Sequence, residues 1–131
     1  MSENFLWCPA CPEAVLEPVE RRHHCGRCDG MFVPEDELVR AMRDVTADEI
    51  RFYAEQPGRR PCPHCRAPMT RVRLATATIA IHIGRLPFEL DRCVPHGLWF
   101  DGAELQATLS NAARDSTIEA FVRAIRRLRG P

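Results

Sequence analysis

The chain has 131 residues and no net formal charge: its 18 basic residues are all arginine, balanced by 18 acids, and it carries seven cysteines and eleven prolines. No stretch approaches the roughly 20 apolar residues of a membrane span. The segment from Met1 to Trp7 has neither the basic nor the apolar region of a secretory leader, so the sequence reads as a soluble, cytoplasmic protein. In that reducing setting, paired cysteines favour metal over structural disulfides. The charge is divided: residues 1–55 hold twelve acids and six arginines, and residues 56–131 hold six acids and twelve arginines, net −6 and +6.

In chain order, Cys8-Pro-Ala-Cys11 comes first and is answered by Cys25-Gly-Arg-Cys28. The segment from Ala14 to His24 between them has room for a strand, a turn and a second strand, with Pro18 at an edge or turn. After Gly30-Met-Phe-Val33, Pro34 and the acids behind it predict a helix over Pro34 to Arg43 that turns Leu38, Ala41 and Met42 inward. Thr46-Ala-Asp-Glu49 is a capping-box pattern and predicts a short helix through Tyr53, with Ile50 and Tyr53 on its apolar stripe. Gln56-Pro-Gly-Arg-Arg-Pro61 then reads as a linker.

The second cassette opens with Cys62-Pro-His-Cys65 and closes with Cys93-Val-Pro-His96. Between these pairs, Val72 to Ile83 is rich in β-branched residues, Gly84-Arg85 can turn, and Leu86 to Arg92 alternates apolar and charged, a longer version of the same hairpin. Asp101-Gly-Ala-Glu104 can cap a helix through about Leu109. A last capping box at Ser116-Thr-Ile-Glu119 opens an amphipathic helix with Ile118, Phe121, Val122, Ile125 and Leu128 at helical spacing. Arg123, Arg126, Arg127 and Arg129 lie toward its negative end.

Together these elements predict a small metal-bound α+β protein made of two tandem zinc-ribbon hairpins. Ribbon 1 with its helices spans 1–55, a linker 56–61, ribbon 2 with its helix 62–111, and the C-terminal helix 112–131. Cassettes of about 40 residues are too small to be held by an apolar core alone, so metal is expected to supply stability. All seven cysteines and one histidine form two ligand sets, Cys8, Cys11, Cys25, Cys28 and Cys62, Cys65, Cys93, His96, which suit two closed tetrahedral zinc ions. Zinc on seven thiolates would bring the two halves to −8 and +5, a polarity that serves either an anionic partner or contact between the halves.

Other chemistries fit less well. Iron suits four thiolates but not the set with histidine. Cys62-Pro-His-Cys65 also looks like a thioredoxin-type redox tetrapeptide, but Pro68 and the absence of a parallel α/β pattern argue against that setting. Catalytic zinc normally keeps an open position, and four protein ligands close each set. His23 and His24 sit beside Cys25 as competing ligands or solvated strand ends, and His64 and His82 read as solvated. The residue after a knuckle's second ligand favours glycine-like geometry, which Gly97 supplies, Asp29 approximates and Pro12 cannot adopt, so the first knuckle is expected to be distorted.

From Gln56 to Phe88 there is no acid, and Arg59, Arg60, Arg71 and Arg73 are the candidate contacts for an anionic partner, with Arg66 and Arg85 nearby. Trp99 and Phe100 could stack bases if exposed, but are expected to plug a small core. The C-terminal helix packs within the protein or pairs with another copy through residues 116–129; membrane binding is not expected.

Cys62-Pro-His-Cys65, Asp91-Arg-Cys93 and His96-Gly-Leu-Trp-Phe-Asp-Gly-Ala-Glu-Leu105 resemble the bacterial zinc-ribbon family named after the transcription factor IIB zinc ribbon. Cys8-Pro-Ala-Cys11, Cys25 to Cys28-Asp-Gly-Met-Phe32 and Glu37-Leu38 resemble it again, so the likeness covers roughly residues 7–110 in two copies. The second copy departs by using histidine as last ligand, and the first lacks the tryptophan. The resemblance implies zinc and a ribbon fold without a settled activity. The expectation is a non-enzymatic zinc-finger adaptor or regulator with no catalytic residues and no small-molecule substrate. Its partner would be nucleic acid or a transcription-type machine met through the second ribbon. The alternative is a protein-interaction or homodimerisation module using the C-terminal helix.

Overall fold

A computed structural model describes residues 5–45, 50–76, 89–111 and 119–129. Its strands are β1 (Glu17–Val19), β2 (Arg22–His24), β3 (Met31–Val33), β4 (Ile50–Pro61), β5 (Pro68–Thr76), β6 (Glu89–Cys93) and β7 (Gly97–Phe100). Its helices are α1 (Glu35–Val45), α2 (Gly102–Asn111) and α3 (Glu119–Arg129). The strands form one antiparallel sheet in the order β1-β2-β3-β7-β6-β5-β4. The protein is therefore a small α+β fold in which the two cassettes are joined strand to strand.

The join has two-fold character. Counting from the last ligand of each cassette, Met31 corresponds to Trp99 and Phe32 to Phe100. The register pairs Met31 with Phe100 and Phe32 with Trp99, so each copy gives the other the same two positions in exchange, as in an isologous dimer interface. Strand alternation then sorts these side chains to opposite faces. Met31, Val33, Leu98 and Phe100 join the core beneath the helices, with Leu38 and Met42 of α1, Leu105 of α2 and Ile125 and Leu128 of α3. Phe32 and Trp99 join Leu6, Leu16, Met69 and the knuckle cysteines on the other face. Trp99, Phe32 and Phe100 are almost completely buried, which answers the expectation for the aromatic pair. Trp99 lies so close over Gly30 that a Cβ there would come within 2.5 Å of its ring, so only glycine allows the approach.

Several expected elements are present. α1 carries Glu35, Asp36 and Glu37 in its first turn and buries Leu38, Ala41 and Met42. Asp101 caps α2, its Oδ1 accepting the amides of Ala103 at 2.9 Å and Glu104 at 3.3 Å. α3 buries Val122, Ile125 and Leu128 together with Ala124. The capping-box residues 46–49 and 116–117, Ile118, and residues 77–88 of the expected second hairpin with its Gly84-Arg85 turn lie outside the described residues.

The segment after α1 differs from expectation. Ile50 to Tyr53 belong to strand rather than helix, paired from Ile50 with Thr76 to Tyr53 with Arg73. The same strand continues through 56–61, so the expected linker is part of β4. An edge strand tolerates Pro57 and Pro61 because amides on its outer side need no partner. Gly58 lets β4 approach β5: a Cβ there would come within 2.2 Å of the Met69 carbonyl. Ala54, at φ 56°, marks an irregularity that resets the register between Tyr53 and Gln56.

Candidate metal centres

Two groups of side chains converge on the knuckle face, Cys8, Cys11, Cys25, Cys28 and Cys62, Cys65, Cys93, His96. Within each, the ligand atoms all lie within 4.8 Å of one another. All seven cysteines are free thiols. Cys8 Sγ lies 3.8 Å from Cys28 Sγ, and Cys65 Sγ lies 3.8 Å from Cys93 Sγ. His96 offers Nδ1, 3.4 Å from Cys93 Sγ and 3.7 Å from Cys62 Sγ. A tetrahedron with zinc–sulfur bonds of about 2.3 Å has edges of about 3.8 Å, and the shorter zinc–nitrogen bond contracts the mixed edges slightly. The donor sets therefore fit two metal ions, four protein ligands to each.

Backbone geometry explains why the ligands converge. Amides of Ala10 and Cys11 donate to Cys8 Sγ at 3.3 Å, and the His64 amide donates to Cys62 Sγ at the same distance. In the second and third knuckles the first cysteine's amide closes onto a carbonyl five residues on, Cys25 to Gly30 and Cys62 to Ala67. In the first knuckle Cys8 closes six residues on, to Ala14. The left-handed residue shows the same offset. Asp29, Arg66 and Gly97, each directly after a ligand, have φ of 62°, 68° and 146°, whereas the first knuckle passes over Pro12 and places positive φ at Glu13, 61°. Proline's ring fixes φ negative, so the expected distortion takes the form of a turn one residue longer, with both amide bonds to sulfur retained.

Burial pushes the Cys8 thiol up to about 11 and the Cys93 thiol up to about 12, and raises Cys28 as well. For Cys25 burial is outweighed by the amides of Cys28 and Arg27, and its thiol is lowered. The Ala67 amide lowers exposed Cys65. Crowded thiols without a cation resist ionisation, and a bound cation supplies the missing charge.

The arginines singled out in the sequence are placed differently. Arg71 meets Glu89 at 3.1 Å, Asp91 at 3.4 Å and Glu104 at 3.4 Å; Arg60 meets Asp101 at 2.7 Å and Asp91 at 3.7 Å; Arg73 meets Glu89 at 3.6 Å. Asp91 is 2% exposed, and burial raises its carboxyl above the usual range despite both arginines. Arg59 is exposed, with no ion-pair partner among the described residues. Three of the four candidate contacts thus serve an internal ion network, and Glu89, Asp91, Asp101 and Glu104 are the partners that sequence reasoning missed. Their signal was the alternating strand Glu89-Leu-Asp91, whose acids share a face opposite Arg71.

His24 Nε2 lies 3.3 Å from Asp29 Oδ1 and His23 faces His64, so neither belongs to a ligand set. His64, expected to be merely solvated, stacks on His96 with ring centroids 4.9 Å apart. His82 and Arg85 lie outside the described residues. No helix among the described residues is long and apolar enough to cross a membrane. Comparisons with protein-family models, with curated proteins and with solved structures found no match.

Proposed function

We propose that the chain is a non-enzymatic tandem zinc ribbon that holds two zinc ions as structure and works as an adaptor or regulator in the cytoplasm. The observation that carries this is the pair of four-ligand sets whose donor atoms all lie within 4.8 Å of one another, each on knuckle turns at the ends of paired strands. The resemblance to the transcription factor IIB-type ribbon family supports it. Four protein ligands leave no coordination position for substrate, and the role assigned to the metal is to supply folding energy.

The partner reading is narrower than the sequence suggested. Ion pairs of Arg60, Arg71 and Arg73 compete with phosphate for those guanidiniums. Val122, Ala124, Ile125 and Leu128 of α3 are buried and α3 packs on α1, which speaks against those four residues as a homodimer surface. Nucleic acid, or a machine that handles it, remains the favoured partner, met elsewhere than on the Arg60–Arg71–Arg73 face.

Cobalt substitution tests the closed-site reading. The expected spectrum is that of two tetrahedral, thiolate-rich sites, unchanged by azide. A spectrum that shifts on azide addition would reveal an open position and contradict a purely structural role.

A further inference from the structure

An open cleft of about 610 Å³ lies between the N-terminal segment and the Cys62–Cys65 knuckle, with Phe5, Trp7, His23, His64, Arg66 and His96 on its walls. Phe5 and Trp7 are 58% and 37% exposed, while Leu6 between them is buried. Their backbone is anchored, since the Leu16 amide donates to the Leu6 carbonyl at 2.7 Å and Trp7 bridges to Val15. Two large aromatics thus stand exposed on either side of an anchored Leu6, a costly arrangement for a surface without a partner. The Arg66 guanidinium sits 5.8 Å from the Trp7 ring centroid. Opposite, His64 lies nearly parallel to His96, at 13°, and touches buried Phe32.

The described walls therefore present ring faces and one permanent cation, with no carboxylate among the described lining residues. A volume of this size suits a small-molecule-sized group, within the roughly 300–1,000 Å³ of ordinary ligand pockets. An apolar peptide helix would find imidazoles and a guanidinium where it needs aliphatic walls, and a proline-rich segment has no use for the cation. Flat faces beside a cation suit a base beside a phosphate. We infer that this cleft binds unpaired nucleotides of a single-stranded nucleic acid, bases stacking on Phe5, Trp7 and His64 and a phosphate meeting Arg66. The zinc-loaded set of three cysteines and a histidine carries one net negative charge, which favours the phosphate on the Trp7 side, away from His96. The inference rests on the zinc-ribbon reading, because the ion holds His96 and the Cys62–Cys65 turn in place. It moves nucleic-acid contact from the second-ribbon arginines to the seam between the copies.

The test uses the full chain with its zinc content measured, titrated at low salt into labelled oligo(dT), oligo(rU) and a duplex, and read by anisotropy and by tryptophan quenching. Trp99 is buried, so quenching reports Trp7. Both single strands should bind and quench, and the duplex should bind more weakly. Trp7→Ala should weaken binding by roughly 5- to 150-fold, with Phe5→Ala acting in the same direction. Arg66→Ala should reduce the salt slope by about one. Equal zinc content and circular dichroism in each variant separate lost contact from lost fold. Zinc-loaded protein that ignores both oligonucleotides, or binds duplex equally well, overturns the cleft assignment alone. So does a proline-rich peptide that quenches Trp7 where the oligonucleotides do not. A chain that holds no zinc overturns both readings.

Discussion

At the residue scale, the first knuckle shows one proline changing a turn without changing its purpose. Pro12 displaces the left-handed residue to Glu13, whose side chain disfavours φ of 61°. Glu13→Gly should therefore leave stability unchanged or raise it by up to about 1 kcal/mol, while Glu13→Val should lower it by about 1 to 2 kcal/mol; urea unfolding of the zinc-loaded chain measures both. Asp91 gives the second residue-scale prediction. It is buried between Arg71 and Arg60, so Arg71→Ala leaves its carboxylate only the longer Arg60 contact and should cost about 2 kcal/mol. Arg73→Ala breaks only a half-exposed pair and should cost less than about 1 kcal/mol. Equal losses in the two variants would contradict the assignment of Arg71 to an internal network.

At the scale of elements, the β3–β7 join holds the two copies together, and its side chains serve both faces of the sheet. Phe32→Ala, which removes a 1% exposed ring at the two-fold position opposite Trp99, should cost about 3 to 5 kcal/mol by thermal or urea unfolding. An effect confined to the first copy, with the second copy's melting unmoved, would contradict a shared core.

The ligand pairs, the first hairpin, the described strands of the second, α1, α2 and much of α3 were legible in the sequence because their signals are local: CxxC spacing, β-branched runs, caps and helical stripes. β4 was not, because its prolines and glycine speak for a linker when read alone. Its strand state comes from β5, a partner whose position the sequence does not announce. The β3–β7 join was hidden for the same reason. The equivalence of Met31-Phe32 and Trp99-Phe100 was visible as a repeat, but that the repeats pair with each other is a tertiary fact. The candidate metal ligands were readable as eight residues of fixed spacing; the aromatic cleft was not, since Phe5 and Trp7 join His64 and Arg66 only after folding.

At the scale of the whole molecule, the division of charge is used partly within the chain. Arg92 of the basic half meets Glu35 at 2.9 Å and Glu55 at 3.7 Å in the acidic half, and Arg127 meets Asp44 at 4.0 Å. One continuous sheet and shared cores make the copies a single cooperative unit, so destroying one ligand set should weaken the other. Metal uptake should also release protons, because thiols such as Cys8 and Cys93, pushed up by burial to about 11 and about 12, are protonated at neutral pH. Affinity at the set with three cysteines should then fall by up to about a thousandfold for each unit the pH drops, a dependence that calorimetry in buffers of different ionisation heat can follow.

The central claim is that two metal ions are part of this fold, and zinc titration of the chelated chain tests it most directly. With circular dichroism and buried Trp99 emission followed together, structure should return cooperatively and saturate at two zinc ions per chain. A chelated chain, verified free of metal, that keeps the spectrum and melting temperature of the native protein would contradict the account.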